Sequence, residues 1–120
     1  MATISQMRTY LHRNIEDYGA YTSPDYKTFE RKYKNCIKKI AQENDGELVK
    51  FSPNHYEFSC FVKRNGKFVY ISISDVRYWH NEWYNHILIR TAQSDKDFHG
   101  GTNWYCSLDE LGNKIVSLTR

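Results

Sequence analysis

Residues 55–74 read HYEFSCFVKRNGKFVYISIS. At their centre Asn65-Gly66 separates two runs of alternating character. An Asn-Gly pair in that setting predicts a two-residue hairpin, because its type I′ turn needs positive φ at both central residues. Such a loop sets the register: Arg64 opposite Lys67, Val62 opposite Val69, Cys60 opposite Ile71 and Phe58 opposite Ile73. The last three pairs put six apolar side chains on one face. The other face receives Glu57, Ser59, Phe61 and Lys63 against Phe68, Tyr70, Ser72 and Ser74, a mixed and aromatic surface. A slip of one residue would move every apolar side chain to the wrong face. The hairpin therefore predicts strands over 55–64 and 67–74, one side dry.

Working outward, residues 47–51 read as a short strand, with Pro53 and Asn54 as a turn. Residues 86–92, HILIRTA, read as a fourth strand with Ile87 and Ile89 on one face. Upstream of Gly46 the apolar period is helical. Ser23 suits an N-cap, Pro24 the first helical position, and Asp25 the positive end of the helix dipole. Phe29, Tyr33, Cys36, Ile37 and Ile40 form one stripe, and the helix is expected to end near Asn44. An earlier helix is predicted from the capping pair Thr3 and Gln6, the stripe Ile4, Met7, Leu11 and Ile15, and a stop at Gly19. A last helix opens at Ser107 with Glu110 three residues on, again a capping box, and buries Leu108, Leu111, Ile115 and Leu118. The expectation is one α+β domain over 1–120, ordered ααββββα, with helices covering one face of a four-stranded antiparallel sheet.

A chain of 120 residues with 40% hydrophobic and 16% aromatic content has enough apolar bulk for one core, which argues against disorder. The net charge of +3 permits nucleic-acid contact without demanding it. Cys36, Cys60 and Cys106 are odd in number and irregularly spaced, which speaks for reduced thiols rather than a disulfide-stapled secreted domain. The N-terminal stretch lacks a signal-peptide core and no apolar run is long enough to span a membrane, so a cytoplasmic location in a host cell is expected.

Two polar, aromatic-rich segments, 75–86 and 93–105, exceed what plain connectors need. Exposed Tyr, Trp and Arg often anchor interfaces. Arg77, Tyr78, Trp79, Trp83, Tyr84, Phe98 and Trp104, with the acidic pair Asp95 and Asp97, are therefore the candidates for protein binding. The bland alternative is that the tryptophans plug the ends of the sheet core. For nucleic acid the candidates are Lys27, Arg31, Lys34 and Lys38 on the basic helix and Phe61, Phe68 and Tyr70 on the sheet face away from the predicted core, with Lys63, Arg64 and Lys67 at the hairpin tip. Against this, a lysine-rich helix face is commonly just solvated, and a loop can pack over an aromatic face.

Zinc would draw on His80, His86, His99 and Cys106, but their spacing is looser than the tight pairs that mark strong metal sites, and hydrogen-bonding histidines beside a small buried thiol explain them equally. Asp95 and Asp97 with His99 or Glu82 would suit acid/base work in a small hydrolase, and they also read as an ordinary solvated turn. Cys106, just ahead of a helix, is the one thiol placed for reactivity, since Cys36 and Cys60 fall on core stripes. His99-Gly100-Gly101-Thr102 lacks the phosphate-loop pattern and reads as a turn.

The stretch ISISDVRYW…EWYNHILIRTAQSDKDFHGGTN, from Ile71 to Asn103, resembles a group of small proteins carried by phages and integrative elements of bacteria. Members of that group are compact and non-enzymatic, and part of this class encodes anti-CRISPR inhibitors that bind a CRISPR nuclease. The resemblance covers about a quarter of the chain and transfers no catalytic residue. It implies a protein that docks an aromatic and charged patch on a host or effector protein, with no membrane partner. Inhibitors that imitate DNA are acidic, and the charge of +3 departs from that pattern, so the resemblance would require contact with a less basic surface or a local acidic patch at Asp95 and Asp97, which a structural zinc in the His/Cys region could brace.

Overall fold

The computed structural model describes residues 24–53, 57–74, 86–98 and 101–120. The first predicted helix, most of the segment 75–86, and His99 with Gly100 lie outside them.

The described chain is α+β. Helix α1 (Pro24–Glu43) precedes strands β1 (Glu47–Pro53), β2 (Glu57–Arg64), β3 (Lys67–Ser74), β4 (Ile87–Ala92) and β5 (Trp104–Cys106), and helix α2 (Leu111–Leu118) follows. The strands form one antiparallel meander in sequence order. The sheet thus has five strands, not the four expected. The extra one, β5, is three residues long and pairs Ile87 with Cys106, Leu88 with Tyr105 and Ile89 with Trp104. No three-residue run carries a readable alternation, so only its pairing with β4 reveals it.

The hairpin has the predicted register, from Glu57 opposite Ser74 to Arg64 opposite Lys67. Asn65 and Gly66 have φ of 55° and 73°, the type I′ signature. Phe58, Cys60, Val62, Val69, Ile71 and Ile73 are all buried in one cluster with Ile87, Ile89 and Cys106, against Tyr33, Cys36, Ile37 and Ile40 of α1 and Leu111 and Ile115 of α2. Both helices therefore lie on the same face of the sheet.

Strand β1 runs two residues past the predicted end. A bulge between Leu48 and Lys50 inserts Val49 without a partner. The bulge reverses the alternation, so Leu48 and Phe51 both reach the core while Lys50 is sent to the opposite face.

Helix α1 ends as a Schellman motif: the N–H of Gly46 donates to Ala41 O at 2.7 Å and that of Asp45 to Gln42 O at 3.3 Å. Asp45, not glycine, holds the left-handed position, with φ of 62°. Before α2 the predicted capping box is present. Ser107 N donates to Glu110 Oε1 at 3.0 Å and Glu110 N to Ser107 Oγ at 3.3 Å, closing a turn over 107–110 that leads into the helix at Leu111. The bond from Ser107 N, with a second from Ser107 Oγ to the same oxygen at 2.9 Å, lowers the Glu110 carboxyl from its ordinary value.

The hairpin tip is tied to the end of α2. Arg64 Nε donates to Asn44 O at 2.7 Å and its Nη1 to Thr119 Oγ1 at 3.2 Å. Asn65 Nδ2 donates to Thr119 O at 3.1 Å, and Lys67 Nζ to Arg120 O. Two of the three basic residues at the tip are thus engaged in holding the fold together.

Candidate functional site

The register lays out the sheet face opposite the helices in rows. Lys50, Phe61, Tyr70 and Arg90 are consecutive partners across β1 to β4. Lys63, Phe68 and Ala92 form the next row towards the hairpin tip, and Ser52, Ser59, Ser72, Leu88 and Tyr105 the row on the other side. The middle row is two aromatic rings between two cations. Arg90 Cζ lies 4.4 Å from the Tyr70 ring centroid.

This row is covered. The chain after β4 folds back in a tight turn, with Asp97 Oδ2 accepting from Gln93 N at 3.0 Å and Ser94 Oγ from Lys96 N at 3.2 Å. The turn drops Phe98 edge-on onto Phe61 and Tyr70, at centroid distances of 5.1 and 5.8 Å. Lys50 Nζ lies 5.4 Å from the Phe98 ring, and Arg90 donates to Phe98 O and to Asn103 Oδ1. Phe61 and Tyr70 are buried as a result. Their expected role as open base-stacking platforms is corrected: they are the floor of a second, smaller core whose roof is Phe98. Phe68 remains half-buried under Lys63, 5.6 Å from its ring.

Of the protein-binding candidates, Arg77, Tyr78, Trp79, Trp83 and Tyr84 lie outside the described residues. Phe98 is largely spent on the packing just described, and the Asp97 carboxylate on the turn, while Asp95 is half-buried. Trp104 is exposed on edge strand β5, with Lys114 Nζ of α2 5.1 Å from its ring. Beside it Tyr105 is the most exposed large apolar side chain among the described residues, at 62%. Sequence reasoning missed Tyr105, because its orientation follows from a three-residue strand. It also missed Lys50, placed by the bulge, and Arg90, placed by the pairing of β3 with β4.

The basic helix carries a sharper pattern than its composition. Lys27, Arg31, Lys34 and Lys38 are all exposed and recur at spacings of four, three and four, so they form one straight ridge along a flank of α1. Lys27 shares its charge with Glu30 at 3.5 Å, and Lys39 with Glu43 at 3.8 Å off the ridge. At the middle of the ridge Glu30, Arg31 and Lys34 together with Phe51 of β1 line an open notch of about 280 Å³.

Half of the zinc quartet, His80 and His99, lies outside the described residues. Of the rest, His86 is exposed just before β4, whereas Cys106 is buried in the core cluster. Burial pushes the Cys106 thiol up to about 11, with Glu110 adding to the rise and Lys114 opposing it. Burial thus favours the protonated thiol at neutral pH, opposite to the activation that a position just ahead of a helix would give. Among the described residues no three His, Cys, Asp or Glu side chains gather as a metal site would require. No described helix is long and apolar enough to cross a membrane.

Set against known protein families, characterised proteins and solved structures, the chain matches none of them.

Proposed function

We propose that this chain is a non-enzymatic accessory protein of a phage or other mobile element that acts by binding a host protein, and most sharply that it inhibits a CRISPR nuclease. The observation that carries the binding half of this reading is the exposed pair Trp104 and Tyr105 on β5. Tryptophan and tyrosine supply large contact area at low entropic cost, and they dominate interface hot spots. Here they stand on a strand fixed by β4, Trp104 on the helix side beside the cation Lys114 and Tyr105 on the opposite face, so each is presented rigidly at the sheet edge. The nuclease half rests on the resemblance of residues 71–103 to mobile-element proteins.

The test is retention of CRISPR effector complexes by the immobilised protein, together with target cleavage by the effector in its presence. Retention and loss of cleavage are expected, with Trp104→Ala and Tyr105→Ala each weakening retention by about 30-fold, as a hot spot does. No retention and undiminished cleavage across the host's effectors would reject it.

A second reading, contact with nucleic acid, is favoured by one specific observation: the unbroken ridge Lys27, Arg31, Lys34 and Lys38. Its mark is affinity for an oligonucleotide that falls steeply with salt.

A further inference from the structure

The ridge on α1 differs from a merely solvated lysine face in having a ring beside it. Phe51 owes its position to the bulge at Val49, which turns it towards the helices. It packs against Tyr33 and Phe58 at centroid distances of 6.4 and 6.0 Å. It is only half-buried, because it also lines the notch with Glu30, Arg31 and Lys34. Lys34 Nζ stands 5.7 Å from its ring centroid. The notch is therefore walled by an aromatic ring, two cations, and an acid whose charge is shared with Lys27. Its volume of about 280 Å³ lies just under the range of drug-sized ligand pockets and suits one planar heterocycle.

We propose that this notch is a base-binding subsite on a track for single-stranded nucleic acid. One nucleobase enters beside Phe51, displacing the Lys34 ammonium from the ring towards a flanking phosphate, and Arg31 holds the phosphate on the other side. Lys27 and Lys38 bind the backbone at the two ends of the ridge. From Lys27 to Lys38 the ridge runs about 16 Å at the helical rise of about 1.5 Å per residue. That covers about five nucleotides at the roughly 3.4 Å spacing of a stacked strand. Single strands are favoured over duplex because only an unpaired base can leave the stack to meet a side-chain ring. The inference rests on the nucleic-acid reading above and adds the strand type and the seat of one base.

The experiment is fluorescence anisotropy of a labelled, unstructured 12-nucleotide DNA, its RNA counterpart and the matching duplex, over a series of salt concentrations. A parallel oligonucleotide carries 2-aminopurine, whose emission drops when it stacks. The expected result is binding of the single strands about tenfold tighter than duplex, with a slope of log affinity against log salt of about −3 for four phosphate contacts. The pair Lys27→Gln and Lys38→Gln should cut that slope to about half. Phe51→Leu, which keeps an apolar side chain against Tyr33 and Phe58, should lower affinity about tenfold, leave the slope unchanged and abolish the 2-aminopurine quench. Arg31→Gln, at an exposed position, should weaken binding without touching the core, with folding of each variant checked by its circular dichroism. If the ridge variants weaken binding while Phe51→Leu keeps both affinity and quench, the subsite is overturned and the nucleic-acid reading stands. Equal binding of duplex overturns the single-strand assignment, and no binding at low salt overturns both.

Discussion

Replacing Phe98 by alanine tests whether the sheet face opposite the helices is a second core or a free surface. Phe98 keeps 37% of its surface exposed, so close to two thirds of it is withdrawn from water by Phe61, Tyr70 and their neighbours. Phenylalanine buries about 150–250 Å² when fully enclosed. The share withdrawn here is then about 120 Å², and at about 25 cal/mol per Å² its loss costs about 3 kcal/mol as an upper bound. The methyl group that remains returns part of this, while two lost edge-to-face contacts, each worth about 0.5–1.5 kcal/mol, add to it. The expected destabilisation is about 2–3 kcal/mol. Urea unfolding followed by far-UV circular dichroism is the assay. At a slope of about 1.5 kcal/mol per molar the midpoint should fall by about 1.3–2 M, with the slope itself unchanged. Phe98→Leu should recover more than half of the loss by restoring area without the ring edge. A destabilisation below about 0.5 kcal/mol for Phe98→Ala would refute the reasoning, since a roof that contributes nothing leaves Phe61 and Tyr70 available to a ligand after all.

Three further outcomes are expected. Asp45→Gly should stabilise the fold by about 0.5 kcal/mol in the same unfolding assay, because Asp45 stands at φ 62°, where only glycine is unstrained. Gly101→Ala should destabilise by about 1–3 kcal/mol, because Gly101 has φ of 80° and a Cβ there would stand 2.7 Å from Thr91 O; retention of full stability would show that the loop before β5 can move away from β4. Burial pushes the thiols of Cys36 and Cys60 to about 12 and that of Cys106 to about 11, against an ordinary value of 9.0. Folding therefore favours the protonated thiols: their contribution is fully present below pH 9 and is lost as pH rises from there towards 12, by up to about 1.4 kcal/mol per pH unit for each thiol. A urea-midpoint series from about pH 8 to 10 checks the downward slope, and a cysteine-free Cys→Ala or Cys→Ser variant should flatten it there; above about pH 10 the buried Tyr33 hydroxyl, also raised by burial, adds a slope of the same sign.

Much of this architecture is legible in local pattern. Asn65-Gly66 specifies its own turn, and a two-residue turn with alternating flanks allows one register, so the dry face of β2 and β3 and the pairing down to Glu57 and Ser74 follow directly. The stripe of α1 and the capping box at Ser107 and Glu110 are equally local, since each depends on residues three or four apart. The candidate surfaces were less accessible. The ridge residues could be named from the sequence, yet the notch beside them depends on Phe51, whose direction is set by a bulge that leaves no mark in composition.

Periodicity and turn chemistry act within a few residues, and they sufficed for the helices described, the hairpin and the faces that β2, β3 and β4 bury. Whether the aromatic side of the sheet is open could not be read that way. It depends on Phe98 arriving from 28 residues beyond Tyr70 along the chain, on Arg90 standing opposite Tyr70, and on a three-residue strand carrying Tyr105 to the rim. Those are contacts between segments distant in sequence, and they form because packing the whole chain, rather than any local preference, decides which surface is withdrawn from water.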